Sequence, residues 1–331
     1  MKPFAYATAQ APADAIDQVA RTEGAKFLAG GTNLVDLMRL GVENPGLLVD
    51  VSGLALAAIE PTPAGGVLIG AGMRNSDLAA DPALRRAYPV LSQAVLAGAS
   101  GQLRNLATVG GNLLQRTRCL YFQDVSKPCN KRVAGSGCPA RSGIHRDLAI
   151  LGASQHCIAT HPSDLAVALA ALDASVHISG PDGDRILALD DFYRLPGDDP
   201  TRDTTLRPAD LITGVELPPA GALTARSGYR KARDRASYAF AAGSVAAALR
   251  VEDGAVAEVR IALGAVAHRP WRARAAEAAL AGRPATAEEF TRALEIELAA
   301  AEPLPDNAFK VTLSRNIAVS TLVALAERTA R

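Results

Sequence analysis

The sequence predicts an α+β fold in two parts, on three observations. A strand, a glycine pair and a helix follow one another near the N-terminus; an Asp-Gly turn joins two β-patterned stretches in the last third; and helical patterns close the chain. Residues 13–22 (ADAIDQVART) repeat apolar positions at helical spacing. Lys26-Phe27-Leu28-Ala29 reads as a short buried strand, which Gly30-Gly31 breaks just before Thr32, Asn33 and the apolar-periodic LVDLMRL. Residues 47–51 (LLVDV) and 67–71 (VLIGA) read as strands and 88–98 (YPVLSQAVLAG) as a buried helix. Pro162-Ser163-Asp164 opens an alanine-rich helix to Asp173, with Ser163 or Asp164 as its N-cap. Polar, proline-rich sequence at 180–210 then separates this region from the rest. Residues 238–250 and 255–267 flank Glu252-Asp253-Gly254, a hairpin signal, and are expected as long antiparallel strands, although periodicity alone equally allows a helix for the first. Residues 271–280, 287–301 and 313–328 show helical patterns.

Composition narrows the class. The 331 residues, 49% of them hydrophobic, suffice for two or three domains. A net charge of +1, from 35 basic and 34 acidic residues, provides no global field for nucleic acid or an anionic membrane, and 4% aromatics argues against base-stacking surfaces. No unbroken apolar run approaches the roughly 18 residues of a membrane span. The N-terminus lacks an apolar signal core, so the expectation is a chain with no export signal of its own.

Two glycine turns carry the first chemical signal. A pyrophosphate packs against the unpaired amides where a helix begins, and glycines let the backbone come close. Gly30-Gly31 would make that approach, with Thr32 and Asn33 adding donors, and Thr108-Val109-Gly110-Gly111-Asn112 repeats the design. Each taken singly is equally an ordinary tight turn, and neither is a Rossmann or P-loop pattern. Together they could bracket one diphosphate.

All four cysteines, Cys119, Cys129, Cys138 and Cys157, fall within residues 119–157. Intervals of nine, eight and eighteen residues differ from the paired spacings of zinc sites, so each thiol comes from a separate turn, as in an iron–sulfur loop. Two disulfides, a zinc scaffold or four unrelated thiols remain open at this level. Arg116, Arg118, Lys127, Lys131, Arg132, Arg141 and Arg146 outnumber Asp124 and Asp147 in the same stretch, which makes the loop net basic. The charges would offset bound thiolates, form a solvated face or dock an acidic partner. His145, His156 and His161 are further ligand candidates, weighed against ordinary loop roles.

Residues 26–34 with 108–112, followed by Ser163-Asp164 and by Tyr229-Arg230-Lys231, resemble the flavin-binding medium subunits of the molybdenum hydroxylases, the xanthine dehydrogenase and carbon monoxide dehydrogenase group. The resemblance covers nearly the whole chain. It implies an FAD-binding domain of the two-part xanthine dehydrogenase/vanillyl-alcohol oxidase type at 1–221, then a C-terminal α+β flavoprotein domain of antiparallel strands plus helices at 222–331. In most relatives the Gly-Gly-Asn motif is followed shortly by Ser-Asp. Here Asn112 and Asp164 lie 52 residues apart, and the extra length, an insertion at about 113–162, contains every cysteine. This insertion is similar to those of the periplasmic aldehyde oxidoreductases of enteric bacteria and of 4-hydroxybenzoyl-CoA reductases, where the loop carries a 4Fe-4S cluster. The stretches GASGQLRN (98–105), GNLLQRTRC (111–119), PCNKR (128–132), GSGC (135–138), CIATHPSD (157–164) and RKARDRASYAF (230–240) resemble the aldehyde oxidoreductase branch most.

Carried over by position, the resemblance implies that Lys26, Phe27, Leu28, Ala29, Gly30, Gly31, Thr32, Asn33 and Leu34 hold the FAD diphosphate and ribose. Gly98 and Ala99 would lie along the flavin, and Thr108, Gly110, Gly111 and Asn112 on the second side of the diphosphate. Asp164, Ile212 and Lys231 would stand near the ribityl chain, adenine or isoalloxazine. Lys231 would stabilise reduced flavin or steer an acceptor, its plain alternative being a solvated lysine; Asp164 competes as a helix cap, and Lys26 as a strand-edge charge. Cys119, Cys129, Cys138 and Cys157 would ligate the cluster. No nucleophile–base pair and no room for a molybdopterin domain are evident in the sequence, so no catalytic residue is expected. Substrate oxidation would fall to a molybdenum-cofactor large subunit, and a small subunit with 2Fe-2S clusters would pass electrons to FAD and on to an external acceptor. The same resemblance implies a periplasmic location, reached folded on a partner's twin-arginine signal; the alternative is the cytoplasm.

Overall fold

The structure is a computed structural model that describes residues 1–327; the expected end of the last helix at Arg328 lies outside the described residues. Near the N-terminus, helix Pro12–Arg21 buries Ala15 and Ile16 and carries Pro12 in its first turn, where a missing N–H costs nothing. Its apolar side covers a parallel three-stranded sheet with Leu47–Asp50 at the centre, flanked by Ala5–Thr8 and Lys26–Leu28. Parallel neighbours need crossovers, and the helices Pro12–Arg21 and Leu34–Arg39 supply them. This arrangement places the Gly30-Gly31 turn between the end of a strand and the start of a helix, as expected from the sequence.

A second, antiparallel sheet orders Ile59–Pro61, Val67–Gly70, Leu211–Leu217, Ser175–Gly180 and Gly183–Ala188. Residues 180–210 therefore do not separate two regions. They include an edge strand and helix Leu189–Phe192, and the chain then returns through the middle of the sheet. Proline and aspartate there mark tight turns within a sheet rather than a linker. Helices Pro89–Ala97 and Asp164–Ala171 pack against each other inside the largest core, and the second is buried along its whole length. Ser163 is its N-cap, accepting from Ala166 N at 2.9 Å, which frees Asp164 from that role.

The last third forms an antiparallel sheet of Trp271–Arg272, Ala255–Gly264, Gly243–Glu252 and Ser227–Ala232, backed by helices Arg274–Leu280, Ala287–Leu298 and Phe309–Glu327. The hairpin stands where Asp-Gly predicts it, with φ of +51° at Asp253 and +76° at Gly254. Two boundaries differ. Residues 238–242 are loop, with the strand starting at Gly243, and Trp271-Arg272 pair as a strand before the helix begins at Arg274. The terminal stretch Pro305–Glu327 is long and apolar enough by composition to cross a membrane, at mean hydropathy 1.2. Packing decides otherwise for this helix: Ala318, Leu322 and Leu325 insert into the core beneath strand Gly243–Glu252.

The cysteine-bearing insertion has little regular structure beyond helix Leu120–Gln123 and the single turn Pro139–Arg141. Backbone bonds tie it down instead. Ile150 N and Leu151 N donate to Val266 O, and His161 N donates to Ala267 O at 2.9 Å. Asn307, in the turn before the last helix, and the fully buried Lys310, in that helix's first turn, donate to Leu148 O.

Candidate flavin site and cysteine centre

One cavity of about 1420 Å³ runs between these layers, and every residue assigned to FAD by sequence, from Lys26 to Lys231, lines it. That exceeds the roughly 300–1,000 Å³ of ordinary small-molecule pockets and suits an extended ligand. The two glycine turns face it together. A Cβ on Gly30 would stand 2.0 Å from Leu106 O, a main-chain atom, and Gly31 sits at φ +69°. A Cβ on Gly110 would lie 3.0 Å from that of Ala71, while Thr108 caps the short helix after it by accepting from Gly111 N at 3.2 Å. Asn33 accepts from Arg116 N at 3.0 Å, leaving its Nδ2 buried without a partner. An orphaned donor beside two close-packed glycine turns fits a diphosphate.

Farther along, the Gly-Gly-Asn and Ser-Asp motifs meet although 52 residues separate them: Ser163 Oγ lies 2.5 Å from Asn112 Oδ1. Asp164 is buried, receiving hydrogen bonds from Tyr229 Oη and from Lys231 Nζ at 2.7 Å. The Lys231 side chain is 4% exposed, so it is a buried partner of Asp164 rather than a solvated lysine. Burial, with the Asp164 charge second, holds the Tyr229 phenol well above its ordinary pKa, so it stays a donor. Gly98 packs against Asp164, Ala99 takes φ +50°, and Ile212 enters from the central strand of the five-stranded sheet.

Sequence reading missed two parts of this wall and one anchor behind it. Glu43 bridges Lys26 and Arg116, each at 2.8 Å; Lys26 is thus paired rather than a bare edge charge. Asp203 takes Arg116 from the other side at 2.6 Å. The loop 233–242 contributes half-exposed Tyr238 and Phe240, the latter under the Arg118 guanidinium at 4.8 Å. Tyr-Ala-Phe beside a run of arginines was its one sequence signal, obscured by a strand-like pattern. Glu43 and Asp203 had none, since an isolated carboxylate shows its partner only after folding.

The cysteines come together as well. All four thiols line a second, narrow cavity, and none is in a disulfide. Cys119 lines both cavities. Burial raises the thiols of Cys119 and Cys138 and pushes Cys157 up to about 12, and the neighbouring thiolates add to the rise. Ligation would have to displace those protons. Among the described residues no three Cys, His, Asp or Glu side chains gather tightly enough around one point to hold a single metal ion. A cubane cluster makes a different demand, because each thiolate binds its own iron and the sulfurs sit farther apart. Four convergent, unpaired thiols fit that donor set.

One expectation about the insertion needs correction. Its basic excess is not a free patch: Arg116 pairs with Glu43 and Asp203, Arg118 with Asp36, Lys131 with Asp203, and Arg146 with Asp147 and Asp234. Most of the acids come from outside the segment, which is why local counting overstates the charge. The histidines are committed elsewhere. His145 is held between Gly143 O and Asp306 N, and burial drives His161 down to about 4 where it packs edge-on to Tyr193. His156 borders the cysteine cavity but is half exposed, 3.6 Å from Asp198.

Comparison with known proteins agrees with this geometry. Residues 2–220 match the FAD binding domain in molybdopterin dehydrogenase, and 216–327 the CO dehydrogenase flavoprotein C-terminal domain. The chain belongs to the FAD-binding medium subunits of the molybdenum hydroxylases. This medium subunit is 52% identical, over 97% of its length and 98% of the relative's, to the aldehyde oxidoreductase FAD-binding subunit PaoB of Escherichia coli. It is 25% identical to the carbon monoxide dehydrogenase medium chain of Hydrogenophaga pseudoflava, over 85% of this chain and 81% of that one. In three dimensions it matches CO dehydrogenase from Oligotropha carboxidovorans at TM-score 0.77 and 22% identity, covering 99% of both chains. Quinoline 2-oxidoreductase from Pseudomonas putida 86 gives a TM-score of 0.76 at 22% identity, again covering 99% of both. The structural likenesses establish the fold expected from sequence, and the family models with the 52% identical relative make the chain an oxidoreductase subunit.

Proposed function

We propose that this chain is the FAD and 4Fe-4S electron-transfer subunit of a heterotrimeric, molybdenum-containing aldehyde oxidoreductase. The observation that carries the reading is Cys119, which stands in the wall of both the large cavity and the cysteine cavity. The 52% identity to an aldehyde oxidoreductase subunit favours aldehydes over xanthine, heterocycles or acyl-CoA. A molybdenum-cofactor large subunit and a 2Fe-2S small subunit are the partners this requires.

FAD, when bound, supplies the exchange between one-electron and two-electron transfer. The chain's own residues do the rest. The Gly30-Gly31 and Gly110-Gly111 turns bring main-chain amides to the diphosphate, and Asn33 Nδ2 offers a further donor. Asp164, Tyr229 and Lys231 form a neutralised group that keeps charge out of the cavity wall. Cys119, Cys129, Cys138 and Cys157 ligate the cluster, and Phe122, Ala140 and Ile158 keep water from it. Thiolate assembly belongs in the reducing cytoplasm, from which the folded chain would either travel to the periplasm on a partner's twin-arginine signal or stay.

Purification of the complex, with FAD, iron and zinc measured per chain, tests this. The expected result is one FAD and four irons, bleached by an aldehyde only when the partner subunits are present. Cys129→Ser is expected to lose the broad cluster absorbance and retain FAD, and Gly31→Val to do the reverse. Colourless, zinc-bearing protein would favour a scaffold, and full iron in Cys129→Ser would overturn the ligand assignment.

A further inference from the structure

The cysteine cavity has a cation built into its wall. Lys131 is the only lysine or arginine among the described residues that lines it, and its side chain is 1% exposed. Its Nζ donates to Pro200 O at 3.0 Å and pairs with Asp203. The other basic side chains of the loop point to different work: Arg132 to the carbonyls of Tyr121, Phe122 and Lys127, Arg141 to Ser154 O, Arg146 to Asp234. Burying an ammonium costs several kcal/mol of desolvation unless an anion and further acceptors offset it. Here one carboxylate and one carbonyl do so, and Asp203 is itself anchored at 2.6 Å by Arg116 from the flavin cavity. Packing alone would be served as well by an apolar side chain.

We propose that Lys131, fixed by Asp203, sets the reduction potential of the cluster bound by the four cysteines; this rests on the cluster reading above. Adding one electron to a thiolate-ligated cluster adds one negative charge and breaks no bond. A fixed cation in the cavity wall stabilises the reduced form more than the oxidised one and raises the potential, while the Asp203 carboxylate cancels part of that field. Lysine and aspartate thus tune in opposite directions.

Redox titration of the whole complex with dithionite, followed by electron paramagnetic resonance, decides the matter, with iron and FAD counted in each sample. Lys131→Met is expected to shift the one-electron equilibrium about tenfold toward the oxidised cluster, a fall of about 59 mV, with iron and FAD unchanged. Lys131→Arg should stay near the parent, and Asp203→Asn should move the potential upward. Parent complex without iron would overturn the cluster reading and this inference with it. Parent complex with iron, and a Lys131→Met potential equal to its own, would overturn the inference alone. Should Lys131→Met fail to take up iron, Asp203→Asn decides by itself, an unchanged or lowered potential counting against the proposal.

Discussion

Gly30 shows how one hydrogen atom in place of a methyl group can hold a binding site open. The Leu106 carbonyl occupies the space a Cβ would need, 2.0 Å away, and main chain cannot step aside as a side chain can. Gly30→Ala is therefore expected to separate the turn from residues 106–107 and to lower FAD retained after gel filtration at least tenfold, with iron per chain unchanged. The motif was legible in sequence, but the reason was not, because Leu106 lies far along the chain. Lys231 makes the same point about charge. Sequence left it as flavin partner or solvated lysine, and folding pairs it with Asp164 out of water. Lys231→Met strands a buried carboxylate, with an expected loss of about 3–5 kcal/mol in urea unfolding, much of it restored by adding Asp164→Asn.

Among the elements, those with strong local signals stand where the sequence put them. The Asp253-Gly254 turn demands positive φ at two successive positions, which few sequences other than Asn-Gly or Asp-Gly satisfy. Gly254→Val is expected to cost roughly 1–2 kcal/mol by calorimetry, since nothing crowds the site and only backbone strain is added. Strand Leu211–Leu217 escaped notice because it sits at the centre of a sheet whose neighbours come from 67–70 and 175–180. It alternates weakly, and pairing on both sides stabilises it. The loop 233–242 erred the other way: its apolar residues suggested a strand, yet Tyr238 and Phe240 are half exposed at the cavity.

At the scale of the molecule, the end of the insertion is stitched to the C-terminal sheet, and two histidines lie buried at that seam. His161 N donates to Ala267 O; His268 has no partner on either ring nitrogen. Burial lowers their pKa values, to about 4 for His161 and about 3 for His268, below the ordinary 6.5. An unfolded chain binds these protons between pH 6.5 and 4 while the folded one does not. The stabilisation is thus complete above pH 6.5 and falls away as pH drops toward 4, by an amount on the order of a few kcal/mol. Carboxylates titrate in the same window, so the comparison that isolates the effect is with His268→Phe. That variant's melting temperature is expected to decline less between pH 7 and 4.5 than the parent's.

By itself, the amino-acid order determined the α+β class, the two glycine turns, the capped central helix, the hairpin and the confinement of all four thiols to one excursion. Each of these depends on residues close together along the chain, where propensity and periodicity act. Folding alone decided that both turns face one cavity, that the thiols share a second whose wall includes Cys119, and that the excess charge of the excursion is met by Asp36, Glu43, Asp203 and Asp234. Those outcomes depend on distances between segments up to about two hundred residues apart, which hydrophobic layering and sheet register fix and no local pattern encodes.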